Sequence, residues 1–304
     1  MNVLSLFDGI SCLQLALQRA GIEYESYYAS EIKKSAIKVT QHHFPNTIQI
    51  GDIRKVYYRD GILYTENGNF NVGRIDLIAG GSCCQDFSSA NRAYKHKYGL
   101  EGNKSSLFYE YLRILKEVSP KYFILENVKM KKESKQQLDN YLGVVGIAID
   151  SSLVSYQNRP RIYWTNFKFE VPKDRHISFQ DYKEVDIEEC RKYKLLKTKS
   201  RIGMWNNGLG RDGGLRSCSN VTNSDKICTI SRKQDRSPNS GLVEFEDFCR
   251  YLTRRELEQG QTLPIGYTDL LSYRQAQDVI GDAWTVDVIV EILKGIKEEI
   301  KRIT

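Results

Sequence analysis

The stretch Val3-Leu4-Ser5-Leu6-Phe7-Asp8-Gly9-Ile10-Ser11 decides how the rest of the chain is read. Five mostly apolar residues, too few for a helix, give way to an acid and a glycine. Leu13, Leu15, Ala16 and Leu17 then mark a helix from Leu13 to Ala20, and Gly21 stands where a helix is commonly ended. Strand, glycine turn and helix in that order open a parallel α/β unit. A ligand for such a unit sits where the strand hands over to the helix.

Working outward, the rhythm repeats. A second strand is expected near Tyr24–Ala29, a helix over Ile32–His43 stopped before Pro45, and a third strand at Thr47–Ile50. Asn67-Gly68, between Ile62-Leu63-Tyr64 and Phe70-Asn71-Val72, reads as a type I′ hairpin inserted before the next strand. Ile75–Ala79 and Tyr122–Leu125 are buried-strand runs, and Ser105–Val118 between them is a helix halted by Pro120. The expected fold is α/β: a doubly wound, mostly parallel, Rossmann-like sheet covered on both faces.

After Asn166 the rhythm breaks. Residues 167–249 are charged, Arg201–Arg216 holds five glycines, and strand signals shorten to Lys226–Ser231 and Leu242–Phe245. A last helix from Trp284 to about Arg302 carries Val286, Val288, Ile289, Ile292, Leu293 and Ile296, a face that must pack, and the large domain is its expected partner. The division drawn from this pattern is a large domain of residues 1–166 plus 270–304 and a smaller, irregular one of residues 167–269.

Composition excludes several classes. With 40% hydrophobic and 27% charged residues in 304, the chain is globular rather than disordered. It has no run of eighteen apolar residues, so a membrane partner is not expected. The seven cysteines are odd in number and lack Cys-x-x-Cys spacing, which argues against a metal ribbon or disulfide framework and for a reducing, cytoplasmic setting. Net charge is +7, yet residues 191–236 alone hold twelve Lys or Arg against three acids. A near-neutral body with one basic segment suggests a polyanion docking in one place; a solvated basic loop is the plain alternative.

The strand ends carry the chemistry. Phe7-Asp8-Gly9-Ile10-Ser11 is not Gly-x-Gly-x-x-Gly, so a dinucleotide pyrophosphate is disfavoured. Glu31, ending the second strand, is placed to accept from ribose hydroxyls, and Asp52-Ile53 repeats the arrangement after the third. Three acids at successive strand ends suit a nucleoside without phosphates. Gly80-Gly81-Ser82-Cys83-Cys84-Gln85-Asp86-Phe87-Ser88 follows the fourth strand; a cysteine there is either an exposed nucleophile or a buried core residue. Glu126-Asn127 ends the fifth strand, and Gln157-x-Arg159-x-Arg161 puts two arginines on one face of a later one.

Taken in order, these segments resemble the DNA (cytosine-5)-methyltransferases of bacterial and phage type. Phe7-Asp8-Gly9 resembles the family's first motif, Cys84-Gln85 its Pro-Cys-Gln loop, and Glu126-Asn127-Val128 its Glu-Asn-Val. The Gln-x-Arg-x-Arg run, Arg250-Tyr251-Leu252-Thr253-Arg254-Arg255-Glu256, Gln261-Thr262-Leu263-Pro264 and Gly281-Asp282-Ala283-Trp284 complete the series. Ser82 and Trp284 lean toward the animal de novo enzymes and phage relatives. Two positions depart: Cys83 stands where the family has proline, and Asp282 where many members have asparagine.

The resemblance implies transfer of a methyl group from S-adenosylmethionine to carbon 5 of a flipped-out cytosine in duplex DNA. It implies Cys84 as nucleophile, Glu126 as partner of ring nitrogen 3, and Arg159 and Arg161 as positioning groups. It implies a cofactor site of Phe7, Asp8, Gly9, Ile10, Ser11, Glu31, Ile32, Asp52, Ile53, Gly81, Leu107, Asp282, Ala283 and Trp284. Gln85, Ser88 and Asn127 would meet the DNA, with Arg232 and Lys233 as base-edge readers after the Lys226–Ser231 strand. The large domain would be catalytic and the smaller one would recognise the target. A monomer is expected, and a cognate restriction endonuclease is a partner such enzymes have. The alternatives within reach are an RNA (tRNA) cytosine-5 methyltransferase and a catalytically weak DNA-binding relative. The basic segment ahead of Thr253 favours duplex DNA.

Overall fold

The computed structural model describes residues 1–81, 106–196, 198, 220–235, 239–245 and 248–303. By contact the chain forms two compact units: residues 1–149, 160–171 and 289–304, and residues 150–159 and 172–288. This division places residues 150–159 and 270–288 in the second unit, where the sequence rhythm had put them in the first.

The first unit is built on a seven-stranded sheet. Its strands are β1 (Asn2–Leu6), β2 (Ser26–Ser30), β3 (Ile48–Gln49), β7 (Leu77–Gly81), β8 (Tyr122–Val128), β9 (Ile147–Asp150) and β10 (Pro160–Thr165). Their order is β3-β2-β1-β7-β8-β10-β9. Neighbours from β3 through β8 run parallel, and β10 runs antiparallel to β8. Helices α1 (Cys12–Ala20), α2 (Lys34–His43), α3 (Ser106–Val118) and α4 (Lys132–Leu142) join them. The reversal between β1 and β7 is the place where such sheets bind ligands. One core joins Leu4 and Leu6 of β1, Ile78 of β7, Phe123 and Leu125 of β8, Trp164 of β10 and Phe108, Tyr111 and Leu112 of α3. These residues are nearly devoid of solvent exposure, as strands covered on both faces require.

The insertion between β3 and β7 is a three-stranded antiparallel sheet of β4 (Tyr57–Arg59), β5 (Ile62–Thr65) and β6 (Gly68–Asn71). Here the turn expectation is corrected. The two-residue turn with both φ angles positive is Asp60-Gly61, at 50° and 79°, between the paired Arg59 and Ile62. At the second turn Thr65 pairs with Gly68, so the loop residues are Glu66 and Asn67 rather than Asn67 and Gly68. Local chemistry sets that choice: the Thr65 hydroxyl accepts from the Asn67 amide (3.1 Å) and donates to the Gly68 carbonyl (2.8 Å).

The last helix runs from Val286 to Ile303, and Ile289, Ile292, Leu293 and Ile296 are fully buried. In the first unit its Lys297 Nζ donates to the Ala20 carbonyl at 2.6 Å, and a side chain at Gly295 would lie 2.1 Å from the Lys168 carbonyl oxygen. The helix packs on the large domain as its apolar face demanded.

Among the described residues, the second unit contains a short antiparallel pair, β11 (Leu242–Glu244) and β12 (Cys249–Tyr251), and the α-helices α5 (Ile187–Arg191), α6 (Arg254–Gly260) and α7 (Tyr273–Asp282). The expected strand Lys226–Ser231 is not one. Residue 227 makes a single bridge to Gln157, and the neighbouring donors go elsewhere: Cys228 N to the Ser240 carbonyl, Ile230 N to the Gln157 side chain. Its apolar residues are buried without a ladder partner along the run.

Beside its small apolar core of Leu195, Leu242, Cys249 and Tyr251, the unit contains a buried ion pair. Arg250 Nη1 and Nη2 meet the two Glu256 carboxylate oxygens at 2.7 and 2.8 Å, both side chains being fully buried. Arg250 also donates to the carbonyls of Tyr251 and Glu184 and to Cys190 Sγ. Glu256 accepts from the amides of Thr253 and Glu184, and Thr253 caps α6 through a capping box. Such a pair survives burial only when both partners are this fully hydrogen-bonded.

Candidate active site

The turn after β1 is unusual in its backbone. Phe7, Gly9 and Ser11 all take left-handed φ values, of 59°, 62° and 55°. For non-glycine residues this costs about 1–2 kcal/mol each, so the surroundings must enforce it. They do so through Asp8. Its buried carboxylate accepts from the Ser11 hydroxyl and, at 2.7 Å, from Tyr27 Oη on β2. Gln14 Nε2 donates to Ser11 Oγ (2.9 Å) and Thr47 Oγ1 (2.7 Å), and Tyr24 Oη donates to Gln14 Oε1 (2.8 Å). Burial dominates the electrostatics: it pushes the Asp8 carboxyl up to about 6, against the opposing hydroxyl bonds. Of the residues behind Asp8, Ser11 was marked in the sequence, whereas Tyr24, Tyr27 and Gln14 carry no motif.

Glu31 leaves the next strand and folds its carboxylate back on the backbone. Oε2 accepts from the Gly9 amide (2.9 Å) and Oε1 from the amides of Ile32 and Lys33 (both 2.8 Å). Three of about four lone-pair positions are thereby used, and the remaining capacity is on Oε2. Among the described residues, a side chain at Gly9 would meet nothing within 4 Å, so space opens beside that oxygen. Asp52, after β3, is held by Arg54: its carboxylate accepts from the Arg54 amide and Nε at 3.0 Å and from Nη2. The side-chain bond to Arg54 is foremost in holding the Asp52 carboxyl below its usual range. Ile10 and Ile53 are buried, Ile32 is exposed, and Leu107 lies against the core from α3. The β3-β2-β1 order therefore brings Asp52, Glu31 and Asp8 to the carboxyl ends of adjacent parallel strands.

On the other side of β1, Gly81 ends β7 opposite Glu126 of β8. Arg161 Nε meets Glu126 Oε1 at 2.8 Å, with both side chains largely withdrawn from solvent. Arg161 pairs in register with Val128 and Tyr163 with Glu126, so the ion pair is the diagonal contact of this antiparallel ladder. Asn127 is buried, and its side-chain oxygen accepts from the Val128 amide at 2.8 Å. Cys83, Cys84, Gln85 and Ser88 lie outside the described residues.

The two arginines of the Gln-x-Arg-x-Arg run part company. Arg159 belongs to the second unit. There its Nη1 donates to the Ile230 carbonyl (2.9 Å) and its Nη2 to the carbonyls of Gly281 (3.1 Å) and Ala283 (2.9 Å). Gln157, fully buried, bonds the Gly260 carbonyl, Gln261 Oε1 and the Ile230 amide. Gln261 Nε2 reaches the Ile280 and Ala283 carbonyls. Three separated motifs are thus tied into one knot around the Asp282-Ala283-Trp284 turn. Arg232 lies against it: its Nε bonds Asp278 at 2.6 Å and approaches Asp282 at 3.6 Å. Lys233 is exposed. The roles of Gln157 and Arg159 as clamps had no signal beyond the motif itself.

A doubly wound sheet with carboxylates at three adjacent strand ends and a Glu–Arg pair beyond the switch point has the architecture of a class I methyltransferase. Residues 1–190 match the family described as C-5 cytosine-specific DNA methylase, and the chain belongs to that family. It is 31% identical over 210 residues to the orphan methyltransferase M.SPRI of Bacillus phage SPR, a match covering 65% of this chain and 44% of that one. The chain therefore spans under half the length of this phage relative. The type II methyltransferase M.NgoPII of Neisseria gonorrhoeae aligns over 99% of this chain and 97% of its own, at 25% identity. Among solved structures, the Dnmt2 methyltransferase of S. pombe shares the fold with a TM-score of 0.69 at 17% identity, covering 99% of both chains.

Proposed function

We propose that the protein transfers a methyl group from S-adenosylmethionine to carbon 5 of cytosine in duplex DNA. The observation that carries this reading is the Glu126–Arg161 pair at the end of β8, beside Gly81, on the same rim as Asp8, Glu31 and Asp52. The residues of that rim fit the cofactor. Glu31 Oε2 retains acceptor capacity next to the open space over Gly9, which suits ribose hydroxyls, and Asp52 stands one strand further out for the base. When bound, the cofactor supplies an electrophilic methyl group.

The remaining chemistry belongs to the chain. Carbon 5 of cytosine is a poor nucleophile. The Cys84 thiolate bonds to carbon 6, the 5,6 π pair shifts to the 4,5 bond and the 3,4 π pair to ring nitrogen 3, and carbon 5 becomes enamine-like. Glu126, at ring nitrogen 3, holds the proton that offsets the developing charge, and Arg161 fixes the carboxylate for that contact. Once carbon 5 carries the methyl group, its proton passes to water, the C–H electron pair re-forms the 5,6 double bond, and the Cys84 sulfur is expelled as thiolate. A stacked base is out of reach of these groups, so the cytosine must be flipped out. Residues 191–236 supply the positive charge for the phosphate backbone, and the second unit reads the target. Arg232 can reach a base edge only by leaving Asp278 and Asp282, whereas Lys233 is exposed for it.

Bisulfite sequencing of DNA from cells expressing the protein tests the reading. Methylcytosine at a defined sequence, absent with Cys84→Ser, is expected. Methylation found only in RNA from the same cells would transfer the activity to the other substrate.

A further inference from the structure

The inserted hairpin sheet β4-β5-β6 has no part in the chemistry described above, yet its tip is fastened to the strand end that carries Asp52. Glu66 Oε1 accepts from the Asp52 amide at 2.8 Å, and its Oε2 accepts from Lys55 Nζ at 2.6 Å. The next residue, Asn67, donates from Nδ2 to the Gln49 carbonyl at 3.0 Å. The two loop residues therefore grip the chain on both sides of Gly51. Gly51 has φ +79°, and a Cβ there would lie 2.4 Å from Glu66 Oε1 and 2.8 Å from its Cγ. The carboxylate lies directly over a position that only glycine can leave open. From β2, Ser30 Oγ donates to the Gly51 carbonyl at 2.7 Å.

The far side of the same turn is held by α3. Arg113 Nη2 donates to the carbonyls of Ile53 (3.3 Å) and Val56 (2.8 Å). Glu117 accepts from Arg113 Nη1 and from the Tyr58 amide, and the Arg113 guanidinium stacks 4.6 Å above the Tyr57 ring. A short turn that presents one carboxylate is thus fixed from the hairpin tip, the hairpin base and a helix. The seven residues 50–56 that link β3 to β4 are thus restrained from several sides, and the restraint acts on the turn proposed for the base of the cofactor.

We infer that Glu66, seconded by Asn67, is a positioning residue: it holds the Gly51-Asp52 turn in the conformation that receives the adenine side of the cofactor. The inference rests on the reading of Asp52 and Glu31 as cofactor residues. It makes the hairpin insertion part of the cofactor site's support. Preorganising a binding loop raises affinity by removing the cost of ordering it on binding.

Calorimetric titration of the full-length protein with S-adenosylmethionine, and separately with adenosine, tests it on wild type, Glu66→Ala, Glu66→Gln, Asn67→Ala and Glu31→Ala. Removing a charged acceptor from a backbone amide should weaken both ligands by roughly tenfold in Glu66→Ala. The factor should be equal for the two, because the turn faces the nucleoside they share. Glu66→Gln keeps an oxygen for the Asp52 amide and should restore most of the affinity, and Asn67→Ala should fall in the same direction with a smaller loss. Melting of the ligand-free variants separates this from unfolding, since Asn67→Ala and Glu66→Gln should melt close to wild type. If Glu31→Ala weakens both ligands while Glu66→Ala and Asn67→Ala bind as wild type does, the positioning role is overturned and the cofactor site stands. If Glu31→Ala also binds as wild type does, both are overturned.

Discussion

Asp8→Asn should change the pH dependence of stability in a direction and by an amount that follow from the burial of that carboxyl. Its ordinary value of 3.8 is raised to about 6 in the folded protein, chiefly by burial. Folding then favours the protonated form. The group's contribution is fully present below 3.8, declines as the pH rises from there to about 6, and is lost above. The whole shift corresponds to about 3 kcal/mol, and the part that falls between pH 4.5 and pH 8 to roughly 2 kcal/mol. Asparagine cannot ionise, and its amide can donate to Ser11 Oγ while its oxygen accepts from Tyr27. Urea unfolding of wild type and Asp8→Asn at several pH values and constant ionic strength reads the difference, in which all other titrating groups cancel. The variant should gain roughly 2 kcal/mol on wild type between pH 4.5 and pH 8. Parallel stability curves would refute the argument, by showing that the turn keeps Asp8 solvated.

Arg250→Met leaves Glu256 buried without its partner and should destabilise by about 3–5 kcal/mol, whereas replacing both Arg250 and Glu256 with apolar residues should recover a large part of that, as measured by urea unfolding. Methylation of a randomised duplex library should show that Lys233→Ala relaxes the site at one position, at about 1–3 kcal/mol of discrimination. Arg232→Ala should instead act on protein stability through the lost Asp278 contact, by up to about 1 kcal/mol, because this ion pair is half exposed. A profile unchanged by Lys233→Ala would remove the reading head from residues 232–233.

The α/β core was legible because its signals are local and redundant. Val3–Leu6, Ile75–Ala79 and Tyr122–Leu125 are runs that only a doubly covered strand can bury, and Gly21 and Pro120 stop the helices beside them. Glu31 was expected at the end of the second strand, and its carboxylate lies there, accepting from the Gly9 amide at 2.9 Å. The second unit was not, because its order comes from few, distant polar contacts. Lys226–Ser231 has strand composition, but its donors are taken by Ser240, Gln157 and other single partners, so no ladder forms. Arg159 and Arg161 are alternate residues that alternation alone would put on one face; Pro160 begins β10 between them, and only Arg161 lies within the strand. The Asp60-Gly61 turn was written in the sequence as plainly as Asn67-Gly68, and the two differ only in what their flanks bond to. Glu66 could not be found from sequence, since its meaning lies in a backbone amide fourteen residues earlier.

The central claim of the proposed function is that Cys84 attacks the cytosine while Glu126 partners ring nitrogen 3. Incubation with S-adenosylmethionine and a duplex in which the target cytosine carries fluorine at carbon 5 tests this most directly. Fluorine cannot leave as a proton does, so the covalent complex should persist through denaturation. Peptide mass mapping should place the nucleotide on Cys84, with Cys84→Ser giving no adduct and Cys83→Ala giving a full one. An adduct on Cys83, or duplex binding with no adduct at all, would contradict the account.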